Sequence, residues 1–129
     1  MPKYVIYDYV HPLKGNLVKA WSESLQKQER AKLNVKLDAL ARHGPELIPG
    51  MMVPTGTPNI FKLRIRGQIE LRPMVCEGPG REEKAFTLLL GAKEIAGQYD
   101  PTDAPTLAAE SRTDLLAHSE RRIIHERVS

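Results

Sequence analysis

Residues 60–76 read IFKLRIRGQIELRPMVC, and the fold turns on them. Phe61, Leu63 and Ile65 alternate with Lys62, Arg64 and Arg66, the period-two pattern of a strand with one dry and one wet face. After Gly67-Gln68, residues 69–76 continue as a second strand. Parity then sets a register. Opposed residues on antiparallel strands share a face, so Ile65 and Leu71 must face one another. An odd loop over 67–69 satisfies this. Arg66 then opposes Glu70, and Arg64 opposes Arg72. Pro73 removes a ladder N–H and implies an edge or a bulge.

Working outward, residues 77–80 (EGPG) read as a turn, and 84–92 (KAFTLLLGA) as a third strand. That strand is nearly all apolar, so it is expected to be central and covered on both faces. At the other end, residues 3–10 (KYVIYDYV) have strand composition and stop at His11-Pro12 and Gly15-Asn16. Residues 17–43 read as helix: Trp21 and Leu25 are four apart, and Leu33, Leu37, Leu40 and Ala41 line one face. A single helix of that span would extend ~40 Å, so a hairpin of two helices broken near 28–34 is expected. Gly44-Pro45 ends it. Residues 46–59 and 97–105 read as loops, and Thr102 or Asp103 caps a last helix through Leu107, Ala108, Ser111, Leu115 and Leu116. Residues from about 119 read as a fraying tail. The expected fold is α+β: one domain over 1–129, β-α-α-β-β-β-α, an antiparallel sheet with an N-terminal helical hairpin and a C-terminal helix, all helices on one face.

The chain has 129 residues, 41% hydrophobic and 27% charged, which suits one folded domain and excludes a fibre or a disordered chain. No apolar run reaches the ~18 residues a membrane helix needs. Residues 1–10 carry Lys3 and Asp8 and show no secretory pattern. The one cysteine, Cys76, forms no internal disulfide and reads as inert core, and no Cys/His set has zinc spacing. A cytoplasmic protein without metal or cofactor is expected. Net charge is +3. Residues 60–72 hold four cations (Lys62, Arg64, Arg66, Arg72) against Glu70 alone, so this segment carries the whole excess.

Two guanidinium groups opposed across strands repel unless an anion lies near them. Phosphate suits, because arginine offers a planar fork of donors to its oxygens. The plainer reading of a Lys-x-Arg-x-Arg strand is a solvated outer face. Lys93 and Glu94, just past the third strand, close the same site or mark a strand end. Tyr4, Tyr7 and Tyr9 suit base stacking, but in a small domain they suit packing better. His118 and His125 are proton-transfer candidates placed where surface histidines are common. Asp100 and Asp103 sit in a proline-containing loop, where helical spacing carries no argument.

The order of elements, with Trp21 and Leu25, the Leu37–Leu40 helix end, and FKLRIRG, IELRPMVCEGPG and FTLLLGAKE in turn, resembles RelE/HigB-type toxins of the RelE/ParE superfamily, in particular its phage-derived branch. The resemblance runs from about Tyr4 to about Leu116. It implies a RelE-like domain and a toxin of a type II toxin–antitoxin system. Such a toxin is a metal-independent, ribosome-dependent mRNA endoribonuclease. The partners it implies are mRNA, the ribosome and a cognate helix-turn-helix antitoxin. By the same resemblance Arg64 and Arg72 grip the scissile phosphate and Lys93 is the first basic residue after the last strand, while Lys62 and Arg66 are RNA contacts by position. Two departures matter. Leu90-Gly91-Ala92 stands where the family often has histidine, and Lys93-Glu94 where it often has two lysines. Glu94, Tyr99 and His125 are therefore the acid/base candidates. The departures favour an alternative, a non-catalytic phage or prophage protein-binding module on the same fold, and a gyrase-inhibiting ParE-like toxin is a further alternative.

Overall fold

The computed structural model describes residues 3–78 and 84–129. The expected turn at 77–80 therefore lies partly outside the described residues. The architecture is mixed α+β, with three α-helices and a mostly antiparallel sheet.

β1 (Val5–Tyr9) is followed by α1 (Leu17–Ser24) and α2 (Lys27–His43). The helical hairpin is present, but its break falls at Leu25-Gln26, ahead of the expected 28–34. Leu25 is extended and buried, and the Gln26 N–H donates to Glu29 Oε1 at 2.9 Å, restarting the chain as a new helix. Gly44 ends α2 at φ +54, with the Tyr4 ring packed where a Cβ would stand. The 46–59 segment is not all loop: it contains β2 (Met52–Pro54), paired with β3 (Phe61–Leu63). Arg72-Pro73 divides the expected second strand into β4 (Glu70–Leu71) and β5 (Met74–Glu77). A register irregularity at Met74/Val75 against β6 (Ala85–Leu90) is the bulge Pro73 implied. The chain then forms a hairpin of β7 (Lys93–Ile95) and β8 (Gln98–Asp100), turning at Ala96-Gly97, both at positive φ. α3 (Ala104–Ala117) and β9 (Arg122–Ile124) complete it. β8 corrects the reading of 97–105 as loop.

The large sheet runs β2-β3-β5-β6-β1-β9, and β4-β7-β8 form a small second sheet. Three expectations are corrected here. The sheet is not wholly antiparallel, because β1 lies parallel to β6, from Val5↔Ala85 to Asp8↔Leu88. The helices do not share a face. Val18, Leu25, Leu33, Leu37 and Leu40 of α1, α2 and their junction pack with Leu63, Val75, Phe86 and Leu88. Ala104, Ala108 and Leu115 of α3 pack on the other side with Tyr9, Met74, Cys76 and Leu89. And the segment from 119 is not a frayed tail. β9 pairs with β1, Arg127 pairs with Asp38, and the Asn34 side chain donates to Val128 O.

Two contacts tie α1 and α3 to the sheet. At Gly91 an added Cβ would lie 2.0 Å from the Trp21 ring. Tyr9 is buried, and its hydroxyl donates to Asp114, which also accepts from Arg121. Burial and the Asp114 hydrogen bond push the Tyr9 phenol up to about 12.

Gly91→Ala should lower stability by ~1–3 kcal/mol through overpacking, seen as a fall of several degrees in Tm; an unchanged melting curve would contradict the packing. The Tyr9 shift has a definite sign. Below pH 10 the phenol is protonated folded and unfolded, and its contribution is complete. From the ordinary value of 10.0 up to about 12 only the unfolded chain ionises, so stability falls as pH rises. Denaturant unfolding between pH 9 and 12 should show this slope, and Tyr9→Phe should flatten it.

Candidate functional site

The hairpin register is the one parity demands. Ile65 bridges Leu71, Lys62 pairs with Met74, and Arg64 falls opposite Arg72 between them. The side chains then separate. Arg64 is exposed, and with Arg66, Lys36, Gly50 and Met51 it lines a hollow of about 360 Å³. Arg72 is buried, with 5% of its side chain exposed.

Arg72 goes to the small sheet, where the register places Glu70 opposite Glu94 and Glu94 opposite Tyr99. These three side chains form one row across three strands. Two facing carboxylates repel unless a cation stands between them, and Arg72 stands there. Its Nη2 donates to Glu70 Oε2 at 2.9 Å, its Nε lies 3.5 Å from Glu94 Oε1, and its Nη1 donates to Leu71 O at 2.9 Å. Lys62 approaches from β3. Its Nζ lies 3.4 Å from the same Glu94 oxygen, donates to Tyr99 Oη at 2.8 Å, and stands 5.0 Å from the Tyr99 ring centre.

Of the eight residues singled out from sequence, four therefore meet: Lys62, Arg72, Glu94 and Tyr99. Arg64 and Arg66 form a separate outer basic group, which leaves the expected two-arginine pocket unmade: the anions at Arg72 are the protein's own carboxylates. Lys93 pairs in register with Leu71 and Asp100, on the face opposite Glu94. His125 lies at the far edge. Its N–H donates to Ile6 O, and Nδ1 contacts Asp8 Oδ1 at 2.8 Å, with Asp8 Oδ2 accepting from Asn16. Three strand spacings, roughly 14 Å, separate β1 from β3. His125 thus secures the C-terminal segment and does not reach the cluster.

Other candidates take structural places. Tyr4 packs on Phe86, Tyr7 lies under Arg122, Tyr9 bonds Asp114, and His118 contacts Glu120. Burial pushes the Cys76 thiol up to about 11, so it stays protonated and unreactive at neutral pH. Among the described residues no three His, Cys, Asp or Glu side chains gather as a metal site requires.

Glu70 is the participant that sequence reasoning missed. The signal was present: on a strand, residues two apart share a face, so Glu70 and Arg72 were placed to pair. Asp8 was also missed, and an isolated acid in an apolar strand gave no clue to its distant histidine.

The cluster brings together a carboxylate, an ammonium, a phenol and a guanidinium around one point. That set can accept a proton, return one and hold an oxyanion. Comparison with known protein families, with curated proteins and with solved structures finds no match for this chain.

Proposed function

We propose that this chain is a RelE/HigB-type toxin that cuts mRNA without a metal, and that its chemistry centres on Glu94. The observation that carries this reading is the convergence of Lys62 and Arg72 on one Glu94 oxygen, with Tyr99 bonded to the same Lys62. RNA carries its own nucleophile. Glu94 takes the proton from the 2′-hydroxyl as that oxygen attacks the adjacent phosphorus. Arg72 balances the charge gathering on the phosphorane. Lys62, hydrogen-bonded to Tyr99, gives a proton to the departing 5′-oxygen. The products are a 2′,3′-cyclic phosphate and a 5′-hydroxyl. Arg64, Arg66 and Lys36 attract the RNA backbone from outside. On this reading the partners are mRNA on the ribosome and an antitoxin that restrains the enzyme.

Arg72's engagement with two carboxylates favours a second reading, a non-catalytic module that binds a protein partner. Brief induction followed by mapping of RNA 5′ ends separates the two. The nuclease reading expects growth arrest with new 5′-hydroxyl ends, and Glu94→Gln should cut the cleavage rate by ~10²-fold or more. Intact mRNA with a stably captured protein partner would establish the module. Intact mRNA with a DNA-damage response would favour a gyrase-directed toxin.

A further inference from the structure

A guanidinium offers two parallel donors along its Nε/Nη2 edge, spaced for two oxygens of one carboxylate or phosphate. In Arg72 that edge meets two oxygens, but from different residues: Glu70 Oε2 at Nη2, 2.9 Å away, and Glu94 Oε1 near Nε, 3.5 Å away. The second contact falls short of a hydrogen bond, and Nε is a buried donor without a partner. The remaining nitrogen, Nη1, is anchored on Leu71 O. The guanidinium is held by its back, and its recognition edge is filled by an imperfect substitute.

The two carboxylates are not equivalent. Glu94 is also held by Lys62 and is 22% exposed. Glu70 is 42% exposed, and no ion pair other than Arg72 holds it among the described residues. It stands beside the loop 67–69 that closes the hairpin, so it can turn into solvent without disturbing the core.

We propose that Glu70 is a displaceable internal ligand of the Arg72 Nε/Nη2 edge, occupying the place of a phosphate oxygen and leaving when a phosphodiester arrives. This rests on the RNA reading above. The incoming phosphate supplies two oxygens from one group and completes the unpaired Nε, taking the place that Glu70 holds beside Glu94. The exchange replaces one anion by another, so the buried guanidinium is never left without a counter-charge.

The test uses inorganic phosphate as the probe, titrated into the full chain at constant ionic strength. The Arg72 Nε–H resonance and the backbone amides of residues 70 and 94 report binding. Glu70→Gln should bind phosphate about fivefold more tightly than the parent, and the Nε–H signal should shift on saturation. Glu110→Gln, an equal charge change at an exposed position on α3, should leave affinity unchanged. Unaltered affinity in Glu70→Gln, an equal gain in Glu110→Gln, or an unmoved Nε–H signal would each overturn the proposal. Arg72→Lys should abolish binding, and the Glu70 variants carry the test if that protein fails to fold. RNA cleavage by the same variants keeps the two ideas apart. Tighter phosphate binding without cleavage in any variant would remove the nuclease and leave the phosphate seat. Cleavage with unchanged phosphate affinity in Glu70→Gln would do the reverse.

Discussion

Strand β6 has no wet face, and most of the architecture answers that constraint. Ala85 to Leu89 are all buried. Phe86 and Leu88 point to the α1/α2 layer, Leu89 to the α3 layer. Each large side chain buried there is worth ~1.5–3 kcal/mol, so neither face can be left to solvent. Its two edges need ladders as well. β5 supplies one in antiparallel sense, and β1 the other in parallel sense, separated in the chain by the helical hairpin and the strands β2 to β5. β1 in turn would be an open edge, and β9 closes it. The C-terminal segment is therefore ordered by a debt that begins at the centre of the sheet.

The cluster beside β5 obeys a different rule, charge neutrality under burial. Removing the partners of a buried guanidinium costs ~3–5 kcal/mol, so Arg72 must find anions or move out. The chain cannot continue β4 into β5 through Arg72-Pro73 as a regular ladder, because Pro73 has no N–H. On the other edge of the strand the Arg72 N–H donates to Ala92 O, which holds the start of the β7–β8 hairpin alongside. That same step brings Glu94 and Tyr99 within reach of Lys62. The strand is thus divided at Pro73, and the pairing of β4 with β7 just before it assembles the site.

The local rules were legible in the sequence. Alternation over 60–66 and the matching of Ile65 to Leu71 gave the hairpin register, and Gly44 gave the helix end. The long apolar run gave a strand covered on both faces, yet the helices were expected on one. Covering both faces of β6 requires α3 opposite α1 and α2, and that consequence lay in the run itself. What stayed hidden depends on contacts between residues far apart in the chain. The parallel β1/β6 pair depends on the helical hairpin carrying the chain to the far edge at β2 and on the antiparallel strands that return it to β6, and its apolar residues look the same in either direction. β9 is three residues with exposed Ile123 and Ile124, too short and too wet to announce a strand. Arg64 and Arg72 were correctly opposed, but register places Cβ atoms and not guanidinium groups. An arginine side chain spans several ångströms, and the nearest carboxylates decide where it ends.

The basic excess of residues 60–72 is therefore divided. Lys62 and Arg72 are neutralised by Glu70 and Glu94 within the cluster, while Arg64 and Arg66 remain exposed and gain Lys36 from α2. The two groups act over different ranges. Exposed cations attract a polyanion over about a Debye length, ~8 Å at physiological salt, with little regard to its sequence. A formally neutral cluster around a buried arginine exerts far less such pull and responds chiefly to a group that enters it. On the endoribonuclease reading, mutating the rim alters how fast RNA arrives, and mutating the cluster alters what happens once it has. On the protein-module reading the rim would meet the partner, and the contacts of Lys62 and Arg72 with Glu94 would serve to hold the β7–β8 hairpin against β3 and β4, so the two readings differ in what the cluster is for and agree on what the rim attracts.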